Sequence, residues 1–363
     1  MVDRQLGIAV VGCGGISNPH TYALTQVPNA RLVAVVDIDE SRALDFKTRF
    51  KAELHSTDYD AVIRRDDVDA VVVTTANDTH AEVSLRALRA GKHVLVQKPM
   101  ALSLELADQM VAAAIQAKKT LMVSFFELFH PAFARAKQIV DRGLIGDVFF
   151  FKAIMAWYSP NLNVWRFDPR ISGGGVLLDG HSHHVAYFLH LLGNPKIDTV
   201  YSSYGALNSN ARVEDTGVTI LRTATALAEI SGSNRLFEPN AQMNFNFKER
   251  LEIYGSKGTI LIQPTERPSL KVYAPSEPTN ELLAGGWDAP RLQPVPQLHQ
   301  PYSLHFNPDE NPWVPEHQHF VDCCLDGKPV VTDGQFGYKV QAILSAAYES
   351  GRAGRNIIPT ELK

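Results

Sequence analysis

The sequence has little of what disulfide-bonded, membrane-spanning or nucleic-acid-binding proteins need. It holds only three cysteines, Cys13, Cys323 and Cys324, two of them adjacent, which argues against a disulfide framework or a spaced metal-binding set. No stretch approaches the roughly 18 apolar residues that a membrane helix requires. The net charge of −4 gives no electrostatic basis for binding nucleic acid or an anionic membrane. Reduced thiols and a small-molecule partner are the expectation.

The sequence also lacks internal repeats and low-complexity tracts, and we expect no secretory leader. The apolar run near Gly7 leads directly into a glycine turn, without a long hydrophobic region or a small-residue cleavage site. We therefore expect a cytoplasmic protein. A length of 363 residues exceeds what one ordinary core accommodates, so two domains are expected.

Residues 1–125 alternate between apolar runs and helical spacings. Unbroken apolar runs are typical of strands that are covered on both faces, as in a parallel sheet. Residues 103–117 form one apolar helical stripe with Ser103 placed as its N-cap. The alternation predicts a doubly wound parallel α/β domain over 1–125. The predicted strands are 7–12, 31–37, 69–75, 93–97 and 121–125.

Residues 126–363 show a different pattern, in which strand follows strand, and they form the second predicted domain. The pattern favours a mostly antiparallel or mixed sheet in an α+β domain. The predicted elements are a helix over 131–142, strands over 148–155 and 217–230, and a single long helix over 175–192. The proline-rich segment 264–315 reads as a long surface excursion, parts of which pack through Trp287, Tyr302 and Trp313.

The first predicted strand ends in a turn that contains Gly12, Gly14 and Gly15. Such a turn lets the backbone approach a pyrophosphate, whose charge lies at the N-terminus of the following helix. Asp37 ends the second predicted strand, where a carboxylate accepts both ribose hydroxyls and repels a 2′-phosphate. Glycines and an aspartate also suit ordinary turns, but their order predicts a dinucleotide site that prefers NAD. Further candidate cofactor contacts are Ile16, Ile38, Thr75, Asn77, His80, Gln97 and Lys98; Asn77 also suits a helix cap and His80 a structural role.

The fifth predicted strand ends at Gln97 and is followed by Lys98 and Pro99. Ligands of a doubly wound sheet bind beyond the carboxyl ends of its strands. Lys98 is therefore expected to point into the cofactor crevice, with Pro99 keeping its backbone extended. A surface lysine after a strand is the alternative.

The second group of polar residues lies on the predicted helix 175–192. Asp179 and His183 are four residues apart, which places them on one face of an α-helix. A carboxylate beside an imidazole fixes its tautomer, as a general base requires, although an exposed polar pair has the same spacing. His181 and His184 invite a metal interpretation, but no helix face gathers three ligands, so no metal is expected.

These motifs resemble those of the glucose–fructose oxidoreductase/inositol dehydrogenase (Gfo/Idh/MocA) family. The matching segments are GCGGIS at the first turn, HVLVQKP at the fifth strand, WRFDPRISGGGVLLDGHSHH at 165–184 and GRNIIP near the end. The resemblance implies a Rossmann domain followed by a second domain with a large open sheet, whose face commonly mediates dimers or tetramers. It also implies NAD(P)-dependent chemistry on sugars, polyols or glycosides, with Lys98, Asp179 and His183 as the catalytic set.

Two positions depart from the family pattern. Gln97 replaces the usual glutamate, and we hypothesise that Lys98 loses its proton more readily as a result. His181 replaces a frequent glycine, either lining the substrate pocket or capping the helix.

Three functions are compatible with this sequence. The first is an NAD-dependent dehydrogenase that oxidises a secondary alcohol of a sugar, cyclitol (inositol-like) or glycoside. The second is a redox-neutral glycoside hydrolase or lyase that keeps NAD tightly bound, and the third is a non-catalytic sensor. The intact set of Lys98, Asp179 and His183 argues against a sensor, and no phosphate-binding cluster is found for sugar phosphates. Besides these three residues, the candidate substrate contacts are Glu127, His130, Tyr158, Trp165, Arg166 and Asp168.

Overall fold

A computed structural model describes most of the chain: residues 5–159, 161–162, 164–235, 248–264, 269–274, 302–304 and 311–359. Its first part contains strands β1 (Leu6–Val11), β2 (Ala30–Val36), β3 (Leu54–Ser56), β4 (Ala70–Val73), β5 (His93–Gln97) and β6 (Leu121–Ser124). The helices between them are α1 (Ser17–Gln26), α2 (Glu40–Phe50), α3 (Tyr59–Ile63), α4 (His80–Arg89) and α5 (Leu104–Ala117). The six strands form one parallel sheet in the order β3-β2-β1-β4-β5-β6, which confirms the predicted Rossmann fold.

The five predicted strands are all present, and the short β3 and α3 are additions to them. Strands β1 and β4 are buried along their whole length, because helices cover both faces of the sheet. Ser103 caps α5 as predicted, its side chain accepting a hydrogen bond from the Leu106 N–H at 3.2 Å.

The second part of the chain contains an eight-stranded sheet. Its strands are β7 (Val148–Ala156), β8 (Thr199–Gly205), β9 (Thr216–Arg222), β10 (Leu227–Ser233), β11 (Lys248–Gly255), β12 (Gly258–Ile262), β13 (Leu270–Tyr273) and β14 (Tyr302–Leu304). The order is β14-β13-β12-β11-β7-β10-β9-β8. Only the β7–β10 pair is parallel among these described strands, so the predicted mostly antiparallel sheet is confirmed. The predicted strand 217–230 is instead the hairpin β9–β10.

The helices of this part are α6 (Pro131–Asp141), α7 (Pro169–Ser172), α8 (Ser182–Leu191), α9 (Trp313–Asp326) and α10 (Gly334–Ala353). The prediction of one long helix over 175–192 is wrong, because Leu177–His181 form a π-helical turn before α8 begins. Helices α9 and α10 were not predicted. Glycines lower helix propensity, and α10 contains Gly334 and Gly337. They are needed there because a Cβ at Gly337 would lie 2.4 Å from the Val123 side chain, so glycine allows α10 to approach β6.

The last two helices return to the first domain. Phe320 and Val321 of α9 join the apolar core beside β1, and a second core cluster runs from the Rossmann sheet through α10 to the C-terminal sheet.

The boundary between residues 125 and 126 stays a prediction. Most of the predicted excursion 264–315, Trp287 included, lies outside the described residues, but Trp313 opens α9 and is 9% exposed, so it packs as predicted. Across the described ranges, no helix is long and apolar enough to cross a membrane.

Candidate active site

Lys98 follows the last residue of β5, and its side chain reaches the π-helical turn of the second part. Its Nζ donates to the backbone carbonyl of Asp179 at 2.8 Å and forms an ion pair with the carboxylate of the same residue. The lysine side chain is 12% exposed, whereas that of Asp179 is 46% exposed. The structure thus shows the Lys98 cation held by Asp179, and the expectation that Lys98 points into the cofactor crevice stays a prediction.

Asp179 is ionised at neutral pH. Partial burial opposes its ionisation, but the charge of Lys98, the charge of Arg166 and the Lys98 hydrogen bond outweigh that effect and lower its pKa to about 2. The pair is therefore a cation beside an anion, with the carboxylate on the solvent side.

Asp179 and His183 were predicted to lie beside each other on one face of an α-helix, but the turn Leu177–His181 is π-helical. A spacing of four residues places two side chains on one face only at 3.6 residues per turn, and a π-helix is wider. Asp179 is still near enough for its charge to raise the pKa of His183. Its carboxylate, however, is bonded to Lys98.

His183 instead faces Glu127. Its Nδ1 lies 3.5 Å from Oε1 of Glu127, and the side chains are 7% and 8% exposed. Phe126 packs against the imidazole, with ring centroids 5.3 Å apart at 74°. Burial, followed by the charge of Lys98, holds the pKa of His183 well below its usual value. The imidazole is therefore neutral at physiological pH and able to accept a proton.

Two further polar residues lie behind Glu127, and the sequence analysis did not assign them to the site. Nε2 of His184 and Oε1 of Glu249 are 2.8 Å apart, with side chains 0% and 9% exposed. A signal for Glu249 was present, because it lies in strand phase with Leu251 and Ile253, both fully buried. A carboxylate in the buried phase of a strand indicates a polar partner inside the protein.

The glycine turn leaves space for a phosphate. Gly12 has a φ of +101°, and a Cβ there would lie 2.6 Å from the Thr74 backbone, whereas a Cβ at Gly14 or Gly15 would meet no atom within 4 Å. Helix α1 has Ile16 at its N-cap and no side-chain cap, unlike α2, which Asp39 caps. An open glycine surface before an uncapped helix fits the pyrophosphate of a dinucleotide.

Asp37 lies at the edge of this turn. Its carboxylate accepts hydrogen bonds from the backbone N–H of Cys13 at 2.7 Å and of Asp39 at 2.9 Å. Each oxygen keeps a lone pair for a ribose hydroxyl. The next residue, Ile38, is 94% exposed, which leaves an apolar surface beside the carboxylate. Arg42 lines a pocket together with Gly14 and Gly15 of the glycine turn, but its guanidinium is paired with the carboxylate of Asp39 at 3.4 Å.

The remaining candidate cofactor residues lie around the ends of β4 and β5. Thr75 is half-buried, and Asn77 donates to the Ser172 carbonyl at 2.9 Å, which ties the two parts of the chain together. His80 is 1% exposed, with its ring nitrogens at the carbonyls of Pro99 and Thr75. His80 and Asn77 therefore have structural roles. Whether they also contact a cofactor is not tested and stays a prediction.

The structure shows which contacts the predicted substrate-binding residues make within the protein. His130 caps α6, with its Nδ1 accepting from the Ala132 N–H at 3.2 Å, and Asp168 caps α7 and pairs with Arg170. Both are thus engaged in local structure. The guanidinium of Arg166 stacks over the ring of Trp165 at 4.5 Å and is near enough to lower the Asp179 pKa. Tyr158 is 41% exposed, with Arg235 over its ring at 5.1 Å.

His181 occupies the N-cap position of α8. It is fully buried, and its Nδ1 lies 3.1 Å from the hydroxyl of Thr219 in β9. No side-chain cap begins α8.

Family models match both parts of the chain. The model of the oxidoreductase family with an NAD-binding Rossmann fold matches residues 6–125, and the GFO/IDH/MocA C-terminal domain matches residues 133–261. Together they cover more than half of the sequence. The chain belongs to the GFO/IDH/MocA family.

Known members of the GFO/IDH/MocA family resemble this chain over most of its length. A scyllo-inositol 2-dehydrogenase (NAD(+)) of Bacillus subtilis (strain 168) is 27% identical over 99% of this chain and 97% of its own. Inositol 2-dehydrogenase 2 of Saccharopolyspora erythraea is 30% identical over 71% of this chain and 74% of its own. The crystal structure of GenD2 from gentamicin A biosynthesis, in complex with NAD, superposes with a TM-score of 0.81 at 27% identity, over 98% and 97% of the two chains. This GFO/IDH/MocA member is an NAD-dependent oxidoreductase.

The Gln97 departure from the GFO/IDH/MocA pattern has a structural counterpart. The Gln97 amide donates to Nε2 of His20 at 2.9 Å, Nδ1 of His20 lies 3.0 Å from Nε2 of His317, and Nδ1 of His317 lies 2.7 Å from the Trp313 carbonyl. Since the first donor is an amide and the last acceptor a carbonyl, both neutral imidazoles carry their proton on Nδ1. The Gln97 amide thus faces α1 and α9, whereas Nζ of Lys98 is bonded to Asp179.

Proposed function

We propose that this oxidoreductase removes hydride and a proton from a secondary alcohol of a sugar, cyclitol (inositol-like) or glycoside. The observation that carries the proposal is the meeting of Lys98, Asp179 and His183 where the Rossmann sheet ends against the second part. The inositol dehydrogenases among its relatives support a polyol or sugar as substrate.

His183 is the proposed general base. Its imidazole is buried and neutral because burial and the charge of Lys98 lower its pKa, so it can accept the proton of the substrate hydroxyl. Lys98 is the proposed hydrogen-bond donor to the same oxygen, where it stabilises the charge that develops as the proton leaves. Asp179 positions Lys98 through the ion pair.

NAD, when bound, accepts the hydride from the carbinol carbon. We propose that Gly12, Gly14, Gly15 and Ile16 hold its pyrophosphate and that Asp37 and Ile38 hold its adenosine end. The open surface at Gly14 and Gly15 supports the first assignment, and the half-buried carboxylate beside an exposed isoleucine supports the second.

The test is a screen of free sugars, inositols and aryl glycosides with NAD, in which NADH absorbance and released phenol are followed together. Net NADH formation with a free sugar or inositol is the expected result. Release of phenol without net NADH would replace the dehydrogenase by the redox-neutral glycoside hydrolase or lyase. Neither signal with any compound in the panel would count against a carbohydrate substrate.

Gln97→Glu is expected to act on His20 and not on Lys98. A buried carboxylate at position 97 would face Nε2 of His20, and it would raise the His20 pKa, which burial now holds well below its usual value. Histidine NMR titration measures this shift. The pH dependence of kcat/KM decides between the two effects: superimposable profiles of Gln97→Glu and the native protein would end the Lys98 hypothesis, and a displaced profile would support it.

We also propose that a second copy of the chain covers the outer face of the C-terminal sheet, giving a dimer or tetramer. Large apolar side chains on the outward phase of the neighbouring strands β8, β9 and β10 support this, with Tyr201 42%, Val218 40% and Leu227 41% exposed. Light scattering after size exclusion should give a multiple of 40.1 kDa, and Val218→Lys with Tyr201→Lys should reduce it to one copy. A monomeric native protein would contradict the proposal.

Residence in the cytoplasm is a further proposal. Its support is that Cys13, Cys323 and Cys324 are all free thiols, as expected in a reducing compartment. Fractionation of the producing cells tests it.

A further inference from the structure

The orientation of His183 depends on a residue other than the predicted Asp179. A buried ring nitrogen without a partner is costly, and Nδ1 of His183 has no hydrogen bond within the described ranges. The carboxyl of Glu127, 3.5 Å away, lies nearly within hydrogen-bond distance. A small tightening of that contact, of the kind catalytic hydrogen bonds undergo when substrate binds, would make Glu127 the acceptor.

Glu127 in turn faces a second buried carboxyl. One polar atom from each of Glu127, His184 and Glu249 lies within 4.8 Å of the other two. They come from the turn at Phe126–Phe129, from α8 and from β11. The groups whose charge lowers the pKa of Glu127 are His184 and then Lys98, and Asp179 already holds Lys98.

Two buried carboxyls at this distance retain a proton between them. Burial raises the pKa of Glu249 to about 8 and that of Glu127 well above its usual value, where the charge of Glu249 adds to the effect. Oε2 of Glu127 is buried and has no hydrogen-bond partner in the described part of the chain. A proton shared by the two carboxyls satisfies that oxygen and leaves Oε1 free to accept from His183.

A divalent cation could also neutralise this cluster, but the histidine geometry favours the proton. Nε2 of His184 is already hydrogen-bonded to Glu249, and its Nδ1 has no partner among the described residues. Metal-binding histidines almost always donate their second ring nitrogen to an acceptor, and His184 does not.

We propose that Glu127, supported by Glu249 and His184, is the positioning residue for His183. Its Oε1 accepts the Nδ1–H of the imidazole and so leaves Nε2 unprotonated to receive the proton of the substrate hydroxyl. One proton moves, from the hydroxyl to Nε2, and the resulting imidazolium keeps its Nδ1–H on Glu127. This inference rests on the proposed role of His183 as the base.

The groups whose charges act on His183 set the direction of the expected pH effect. Lys98, from the end of β5, and His184 lower its pKa, whereas Asp179 raises it, and Glu127 faces it from the 126–129 turn. Loss of the acceptor on Nδ1 disfavours the imidazolium. The acid limb of kcat/KM should therefore move to lower pH when Glu127 is replaced by an apolar residue, while kcat falls.

Glu127→Leu and Glu127→Gln form the test pair. Glu127→Leu should lower kcat by roughly 10–100-fold, the range typical of groups that orient a catalytic side chain from behind, with the KM of the alcohol little changed. Glu127→Gln should recover most of the loss, because its amide oxygen accepts the same N–H while its NH2 donates to Glu249. Glu252→Gln, on the opposite face of β11, is the matched control and should behave as the native protein.

Histidine-selective ¹⁵N NMR provides a readout that does not depend on turnover. The His183 signal is identified as the one lost in His183→Gln, and in the native protein it should be protonated on Nδ1. Protonation on Nε2 would overturn the inference even if Glu127→Leu failed to fold.

Other outcomes overturn it in distinguishable ways. A higher KM at unchanged kcat in Glu127→Leu would make Glu127 a substrate contact. One divalent ion per chain by elemental analysis, lost in Glu127→Gln, would make the cluster a metal site. Native kinetics in Glu127→Leu beside an inactive His183→Gln would end the inference and leave the proposed function intact.

Discussion

His183→Gln is expected to lower kcat by about 10²–10⁴-fold, the contribution typical of a general base. Glutamine keeps a polar side chain of similar reach but cannot take the substrate proton. In the native protein, burial and Lys98 keep the His183 pKa well below its usual value, so kcat/KM should hold at neutral pH and fall only as the pH drops through that lowered pKa. The variant should lose this acid limb.

The matched control is His190→Gln, on the same helix α8 but outside the proposed site. It should retain native kinetics. NAD binding, followed by fluorescence titration, should be the same in both variants and the native protein, because neither residue is assigned to the cofactor. An active His183→Gln enzyme with an unchanged pH profile would remove His183 from the chemistry.

Lys98→Met is expected to lower kcat by about 10²–10³-fold, the loss typical of removing one donor from a developing oxyanion. Methionine keeps the apolar stem of a side chain that is 12% exposed, but it removes the cation from both the substrate oxygen and Asp179. The Asp179 pKa, which Lys98 helps to lower to about 2, should rise as well. Steady-state NADH formation and carboxylate NMR measure the two effects.

Lys137→Met is the control for Lys98→Met, because it removes another lysine–aspartate pair, Lys137–Asp141 on α6, that lies outside the site. Its kinetics should equal those of the native protein. A loss in Lys98→Met confined to NAD affinity, with kcat unchanged, would assign Lys98 to cofactor binding and contradict its role at the substrate oxygen.

The sequence predicted the Rossmann half of the fold well because its signals are local. Each of the five predicted strands contains an unbroken apolar run, which the short β3, Leu54–Ser56, lacks. Ser103 and the glycine turn mark where helices begin. The long helix over 175–192 could not be predicted correctly, because a π-helical turn leaves no periodic signal in one sequence. Helix α10 was missed for a related reason: its glycines serve a contact with β6 that only the assembled fold creates.

The proposed catalytic residues were predicted from motifs, but the contacts that their side chains make were not. Lys98, Asp179 and His183 do meet at one place, yet Asp179 holds Lys98 and Glu127 faces His183. Glu249 comes from a strand 122 positions after Glu127 in the sequence, and pairing of that kind depends on tertiary packing. The proline-rich segment offers no comparison, since most of it is outside the described residues.

The return of the C-terminal helices has a consequence for how the enzyme can be divided. Phe320 and Val321 are fully buried in the same cluster as β1. Residues near the C-terminus therefore form part of the hydrophobic core of the dinucleotide-binding half. The boundary that we propose after residue 125 separates the cofactor-binding part from the substrate-binding part. The two parts cannot be cut apart there as independently folding domains. Transplanting the dinucleotide-binding half onto another substrate domain would have to carry α9 along with it.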